Sequence, residues 1–200
     1  MARYAICCLA SLLAGGLAAP RDVAAQNLVT NGQFASDLSG WQFPDATPTW
    51  AAFDVAGSAS SGSAYFVNTQ AASGVTLSVL EQCIPVTQTG AYVFGVSAFT
   101  PTGQASAGAL LGNYSVDLHH VDCSGGYSTL GGFEIPGLGA WAAYATTTSF
   151  NPPLLVQSLN PDASIAVELL VQKTPAGGSF GGYFDAVYLI RDTLFMSGFE

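Results

Sequence analysis

Residues 164–172, SIAVELLVQ, decide the fold class of this chain. Every second position of this stretch carries a large apolar residue, namely Ile165, Val167, Leu169 and Val171. An apolar period of two is typical of a β-strand with one buried face. Residues 90–99 show the same alternation through Tyr92, Phe94, Val96 and Ala98. In residues 182–190 both alternating sets are apolar, which predicts a strand deep in a two-layer fold.

Similar short segments recur along the chain, separated by clusters of Gly, Pro, Asn and Ser that are typical of turns. The predicted strands are 27–30, 50–55, 63–68, 75–84, 90–99, 113–122, 141–150, 164–172 and 182–190. After the first 25 residues no sustained helical stripe is present. The sequence therefore predicts an all-β, antiparallel fold, either a two-sheet β-sandwich or a barrel.

Residues 1–25 have the pattern of a signal peptide. Arg3 precedes an apolar run from residue 4 to residue 19, and Val23-Ala24-Ala25 offers the small residues of a cleavage site. The alternative, a membrane anchor, is disfavoured because Pro20, Arg21 and Asp22 end the run below the ~20 residues that a span requires. We therefore expect a secreted protein, extracellular or periplasmic, with one domain over 26–191, no membrane span, and a short C-terminal tail over 192–200.

The charge of the chain limits its partners. The formal net charge is −9, and removing residues 1–25 changes it to −10, with Lys173 and Arg191 as the remaining cations. Nucleic acid is disfavoured as a partner because phosphate binding requires Lys and Arg to displace counterions. Neutral ligands, or cations such as calcium, fit this charge better.

Two cysteines, Cys83 and Cys123, follow the predicted cleavage site. In an oxidising compartment an even pair indicates a disulfide. A metal or redox pair is the alternative, but such sites use closer spacing.

The sequence contains no H-E-x-x-H, and its one G-x-S-x-G, at residues 177–181, leads into the predicted strand 182–190 rather than into the helix that a nucleophile elbow requires. A glycosidase-type carboxylate pair would have to come from Glu81, Glu134, Glu168 and Asp117. Glu168 is expected on a strand face opposite to Ile165, and Glu134 in a glycine-rich loop. Since neither position implies a shared cleft, we expect a protein without catalytic activity.

His119 and His120 stand beside Asp117 and Asp122. On the predicted strand 113–122, Asp117 and His119 point to one face, and His120 and Asp122 to the other. Two pairs on opposite faces do not form one metal site.

Several motifs together resemble the CenC-like carbohydrate-binding modules, which belong to the galactose-binding-domain-like jelly rolls. The chain has Asn27–Phe34 (NLVTNGQF) followed by Gly40-Trp41, a Gly-x-Tyr strand at Gly90-Ala91-Tyr92, and a closing Tyr183–Leu189 (YFDAVYL). The resemblance implies a jelly-roll sandwich that binds neutral carbohydrate without catalysis. The alternative is a structural or adhesive surface domain that does not bind sugar.

The resemblance also implies site residues. Family members often bind a structural calcium through a Glu after the Phe and the Asp of the closing motif. Here Ala35 occupies the Glu position and Asp185 the Asp position. Trp41 and Trp141 are expected in the core, whereas the expected sugar platforms are Trp50, Tyr114, Tyr127 and Tyr144.

Overall fold

The computed structural model describes residues 26–70, 75–125, 129–135, 138–146, 154–156, 163–174 and 178–192. These residues form ten β-strands and no helix. The strands are β1 (Thr49–Ala51), β2 (Ser63–Asn68), β3 (Thr76–Val86), β4 (Gly90–Phe99), β5 (Gly108–Asp117), β6 (Thr129–Ile135), β7 (Trp141–Ala145), β8 (Leu154–Val156), β9 (Ala163–Lys173) and β10 (Phe180–Asp192). In this part of the chain nothing helical is long and apolar enough to cross a bilayer.

The strands form two antiparallel sheets packed face to face. The six-stranded sheet has the order β1-β2-β10-β4-β7, with β8 pairing with β4 beside β7, and the four-stranded sheet has the order β3-β9-β5-β6. From β2 to β5 the chain crosses between the sheets three times, which is the winding of a jelly roll. The prediction of an all-β, two-sheet sandwich is confirmed.

The core lies between the two sheets. Its β9 side consists of Ile165, Val167, Leu169 and Val171, all fully buried, and β4 contributes the predicted set of Tyr92, Phe94, Val96 and Ala98. Trp41 also packs into this core, as expected. Strict alternation therefore identified the core faces of both central strands correctly.

The predicted strand 27–30 is wrong, because this segment is held to β10 in a different way. The Asn27 side chain donates to the Val187 carbonyl and accepts from the Leu189 N–H, each at 3.0 Å. The Leu28 N–H bonds the Leu189 carbonyl, and the Val187 N–H bonds the Gly32 carbonyl, each at 2.8 Å. The Asn27 side-chain amide thus makes hydrogen bonds to β10 that main-chain groups would make in a regular β-ladder.

A β-bulge interrupts β10. The pairing of β10 with β4 shifts register between Asp185 and Tyr188, and Ala186 adopts a φ of 49°. Phe184 faces the core before the bulge, and Val187 and Leu189 face it afterwards. The predicted uninterrupted alternation of this strand is therefore wrong at residue 186, since a bulge adds one residue and switches the faces.

Further assignments differ from the prediction: the strand predicted at 50–55 ends at Ala51, and β8 was not predicted. β5 covers 108–117, so 118–122 is a turn rather than the end of a strand, and β6, which was not predicted, carries Glu134. The glycine-rich pattern that predicts a loop around Glu134 comes from Gly131 and Gly132, which lie on β6. These glycines have a packing reason instead, since a Cβ there would collide with the Tyr114 or Asn113 side chain.

The predicted disulfide is present. Cys83 on β3 is bonded to Cys123 in the turn after β5, with the two Cα atoms 6.0 Å apart. It joins the edge strand β3 to the connection between β5 and β6, across the intervening β9.

Candidate functional site

Four aromatic side chains form a row across the outer face of the six-stranded sheet. Tyr65 on β2 pairs with Tyr183 on β10, Tyr183 pairs with Phe99 on β4, and Phe99 pairs with Trp141 on β7. Each strand thus contributes one ring at the same level of the sheet. All four side chains are partly exposed. We call Tyr65, Tyr183, Phe99 and Trp141 the aromatic row.

Adjacent rings of the row are in contact. The centroid distances are 4.5 Å for Tyr65–Tyr183, 5.9 Å for Tyr183–Phe99 and 5.8 Å for Phe99–Trp141. Such spacing is that of favourable aromatic pairs. The row is therefore one continuous apolar surface. Burial raises the pKa of the Tyr183 hydroxyl, and the neighbouring Tyr65 raises this pKa further.

Polar atoms accompany this surface. Among the described residues, two buried side-chain atoms have no hydrogen-bond partner, and they are Trp141 Nε1 and Ser63 Oγ. Ser63 lies on β2, two residues before Tyr65. A buried donor without a partner is unfavourable by about 1–3 kcal/mol, and functional sites are one place where such atoms occur.

The loop over residues 52–62, which we call the strap, connects β1 to β2 and crosses this face. Its Phe53 is 38% exposed and contacts three rings of the row, with centroids 4.9 Å from Tyr183, 5.0 Å from Phe99 and 5.2 Å from Trp141. The strap thus covers the centre of the aromatic row.

Asp185 fixes the strap from below. Its carboxylate accepts from the Val55 N–H at 2.9 Å and from the Ala186 N–H at 2.6 Å. The side chain is fully buried. Burial raises the pKa of Asp185 to about 6, although the two N–H bonds act to lower it.

Calcium at Asp185 stays a prediction. The ion takes 6–8 oxygen ligands, and each carboxylate oxygen of Asp185 accepts one main-chain N–H bond. Within the described ranges no three His, Cys, Asp or Glu side chains lie together in a way that could hold a metal ion. The hydrogen bond from Val55 gives this carboxylate a structural role.

None of the four predicted sugar platforms belongs to the aromatic row. Trp50 is 38% exposed, but it lies on β1 and its Nε1 donates to the Phe34 carbonyl at 2.7 Å. Tyr114 is a core residue, so its ring face is not available to a ligand. Tyr144 stacks on Phe133 at 4.7 Å between the two sheets. Tyr127 lies outside the described residues.

Trp141 was expected in the core, and this expectation is wrong. It pairs with Phe99 on the outer face of the sheet, and its side chain is partly exposed and stacked against Phe53. The register of β4 explains the difference, because Phe99 is out of phase with the core residues Val96 and Ala98.

The His119–His120 region is a turn held by Asp117. The buried Asp117 carboxylate accepts from the backbone N–H groups of His119, His120 and Gly125, and contacts His120 Nδ1 at 3.1 Å. The predicted division of these residues between two strand faces is therefore wrong. Burial acts to raise the pKa of Asp117, but the hydrogen bonds lower it overall.

The carboxylates considered for catalysis lie on the four-stranded sheet. Glu81 and Glu168 are direct cross-strand partners, and Ser78 Oγ donates to Glu168 at 3.4 Å. Burial and then the negative charge of Glu81 raise the pKa of Glu168. Glu134 is exposed on β6, so the expectation that it lies in a loop is wrong.

A signal for the aromatic row is present in the sequence. Tyr65 and Phe99 are partly exposed aromatic residues on strands whose opposite phase supplies core residues, such as Phe66 on β2 and Ala98 on β4. An aromatic residue in the outward phase is the pattern to search for. What the sequence does not contain is the pairing register that brings these side chains to one level.

By strand order and packing, the molecule belongs to the class of jelly-roll β-sandwiches, and its outer face carries an aromatic row under a strap. No protein-family model matches the chain, and no curated protein matches it. The membership of the CenC-like family therefore stays a prediction.

Solved structures share the fold. The chain matches the enzymatically active domain of tailspike protein 4 from bacteriophage CBA120 at a TM-score of 0.55 and 18% identity, over 83% of this chain and 21% of that one. It matches the arabinose-bound α-L-arabinofuranosidase MgGH51 at 0.57 and 17%, over 82% and 26%. A Bacteroides thetaiotaomicron VPI-5482 protein whose name proposes sugar binding matches at 0.52 and 15%, over 84% and 100%.

These identities show a shared fold alone. The chain spans about a fifth of the tailspike chain and about a quarter of the arabinofuranosidase, but the whole of the Bacteroides protein. Two of these three structures are of enzymes, and a shared fold does not by itself carry a function.

Proposed function

We propose that this protein is an exported, non-catalytic module that binds neutral carbohydrate along the aromatic row. The observation that carries the proposal is the register of Tyr65, Tyr183, Phe99 and Trp141, which sets four rings side by side across one sheet face. Carbohydrate rings present flat C–H surfaces that pack on aromatic side chains, and a few polar atoms then fix their hydroxyls.

A neutral ligand fits the charges of the molecule. Of the two cations in the described residues, Lys173 is buried and donates to the Gln70 and Gly178 carbonyls, and Arg191 donates to the Thr89 carbonyl. Both are thus engaged by main-chain oxygens. Polyanions such as nucleic acids need several free cations, whereas an uncharged glycan needs none.

Export and the disulfide support each other. A disulfide such as Cys83–Cys123 is expected in a protein that matures in an oxidising compartment. The apolar segment at residues 4–19 supplies the export signal in this proposal.

The binding prediction is tested by retention on insoluble neutral polysaccharides and by titration with cellohexaose, xylohexaose and mannohexaose. We expect wild-type protein to bind at least one of them. Trp141→Ala should weaken that binding at least tenfold, because it removes one end of the row. Tyr183→Ala should do the same from its centre.

Trp50→Ala is the matched control, since Trp50 is a partly exposed tryptophan outside the row. Retained binding in this variant supports the row as the site. Binding that depends on Trp50 and not on Trp141 would instead move the site to β1. If no neutral glycan binds, the alternative of a structural or adhesive surface domain is favoured.

A second function, glycoside hydrolysis, is favoured by one observation, the pairing of Glu81 with Glu168 and the raised pKa of Glu168. A carboxyl group with a raised pKa is the usual general acid of such reactions. Release of reducing ends from the same glycans, abolished by Glu168→Gln, would establish it. Absence of turnover in a protein that binds would confirm a non-catalytic module.

A further inference from the structure

The Phe53 ring occupies the place on the aromatic row where a sugar would stack. It lies 5.2 Å from the Trp141 ring with an interplanar angle of 28°, and thus covers one face of the indole. With Phe99 and Tyr183 it makes edge-to-face contacts, at interplanar angles of 77° and 67°. A sugar ring stacked on Trp141 from this side would collide with Phe53.

The strap that carries Phe53 is held by few contacts. The Val55 N–H bonds the Asp185 carboxylate at 2.9 Å, and Ser61 Oγ donates to the Gln33 carbonyl at 3.2 Å. Beyond Phe53, residues 54–61 are mostly exposed. A segment with little buried apolar surface opens at low free energy compared with the core strands.

A local turn keeps the strap in shape. The Asp54 carboxylate accepts from the N–H groups of Ala56 at 2.6 Å and Ser58 at 3.1 Å. Gly57 has a φ of 69° and open space around it. The turn therefore keeps its form independently of the sheet, so that the strap can leave the row as a unit.

We propose that the strap is self-inhibitory: Phe53 acts as an internal competitor for the aromatic row, and a glycan binds only when the strap lifts Phe53 off Trp141. This inference rests on the proposed function, since it concerns the same site. Its consequence is that the free protein is mostly closed. The apparent affinity is then the intrinsic affinity reduced by the fraction of open molecules.

The test compares wild type, Phe53→Ala and Asp54→Ala by titration with cellohexaose, xylohexaose and mannohexaose. Phe53→Ala removes the competitor, so we expect binding to strengthen about tenfold for a strap that is open about one tenth of the time. Asp54→Ala keeps the ring but loosens the turn, and should strengthen binding to a smaller extent. Phe43→Ala is the matched control, because Phe43 is 39% exposed and outside the row.

A second measurement follows the strap itself. Hydrogen exchange of the Val55 amide, which is bonded to Asp185, should accelerate when a hexasaccharide is added, because the strap lifts. Slower exchange on binding would mean that the glycan adds to a closed strap, and would overturn the proposal.

The outcomes separate the two proposals. If Phe53→Ala binds glycan no more tightly than wild type while Trp141→Ala loses binding, the self-inhibition proposal is overturned and the proposed function is kept. Binding by Phe53→Ala and not by wild type supports both. Binding by neither protein overturns both, and binding unaffected by Trp141→Ala moves the site away from the row.

Discussion

At the scale of single residues, Asp185 is the side chain with the clearest measurable consequence. Its carboxylate is buried and held by two N–H bonds, and burial raises its pKa to about 6 from an ordinary value of 3.8. The folded protein therefore retains the proton more tightly than the unfolded chain does. The contribution of Asp185 to stability is fully present below pH 3.8 and is lost as the pH rises through 6.

We expect this loss to be on the order of 2–3 kcal/mol between pH 4 and pH 7. Glu168 has a pKa shifted in the same direction, so the wild-type profile contains both contributions. Comparison with Asp185→Asn isolates the contribution of Asp185, since the asparagine side chain cannot ionise. Urea unfolding of both proteins across this range should show wild type losing stability relative to the variant, and parallel profiles would contradict the assignment.

At the scale of elements, the contact between the N-terminal segment and β10 depends on one glycine. A Cβ at Gly32 would overlap the Val187 carbonyl oxygen, and the Gly32 carbonyl accepts the Val187 N–H. The overlap would be between the new Cβ and a main-chain atom, so it cannot be relieved by the rotation of a side chain. Any side chain at this position must displace the segment from the strand.

Gly32→Ala should therefore destabilise the protein by about 3 kcal/mol, in the upper range for single substitutions. Gly57→Ala is the matched control, because Gly57 has open space around it and a φ of 69°. Its cost is conformational alone, about 1 kcal/mol. Urea midpoints measure both, and equal losses would show that backbone overlap at residue 32 is relieved elsewhere.

The elements also show what sequence patterns could predict. β4 and β9 were identified because their apolar residues alternate without interruption. β6 was missed because its two glycines resemble a turn, although they are there to make room for Tyr114 and Asn113. The bulge in β10 was missed because Ala186 has no feature that requires a φ of 49°.

At the scale of the whole molecule, the aromatic row could not be predicted. Its members are separated by 34 or more residues, as with Tyr65 and Phe99, and meet only through the register of four strands. Each residue type was visible in the sequence, but the alignment between strands depends on turns and on the bulge. The fold was predictable because it follows from local alternation, whereas the site follows from long-range pairing.

The disulfide acts on the molecule as a whole. Cys83 and Cys123 are 40 residues apart in sequence, and closing such a loop stabilises by about 4 kcal/mol in the chain-entropy model. Cys83→Ser with Cys123→Ser should lower the free energy of unfolding by that amount, measured in urea against the oxidised wild type. Reduced wild type should match the double variant, and a loss below about 1 kcal/mol would indicate a restricted unfolded chain.

The central position of β10 determines when the molecule can form. Phe180–Asp192 lies between β2 and β4, so the six-stranded sheet has a gap in its middle until these late residues are available. A nascent chain lacking them cannot complete this sheet, and the facing edges of β2 and β4 stay unpaired. For a protein that is threaded through a membrane before folding, as we propose, this delay favours translocation, since the chain reaches the pore before it can become compact.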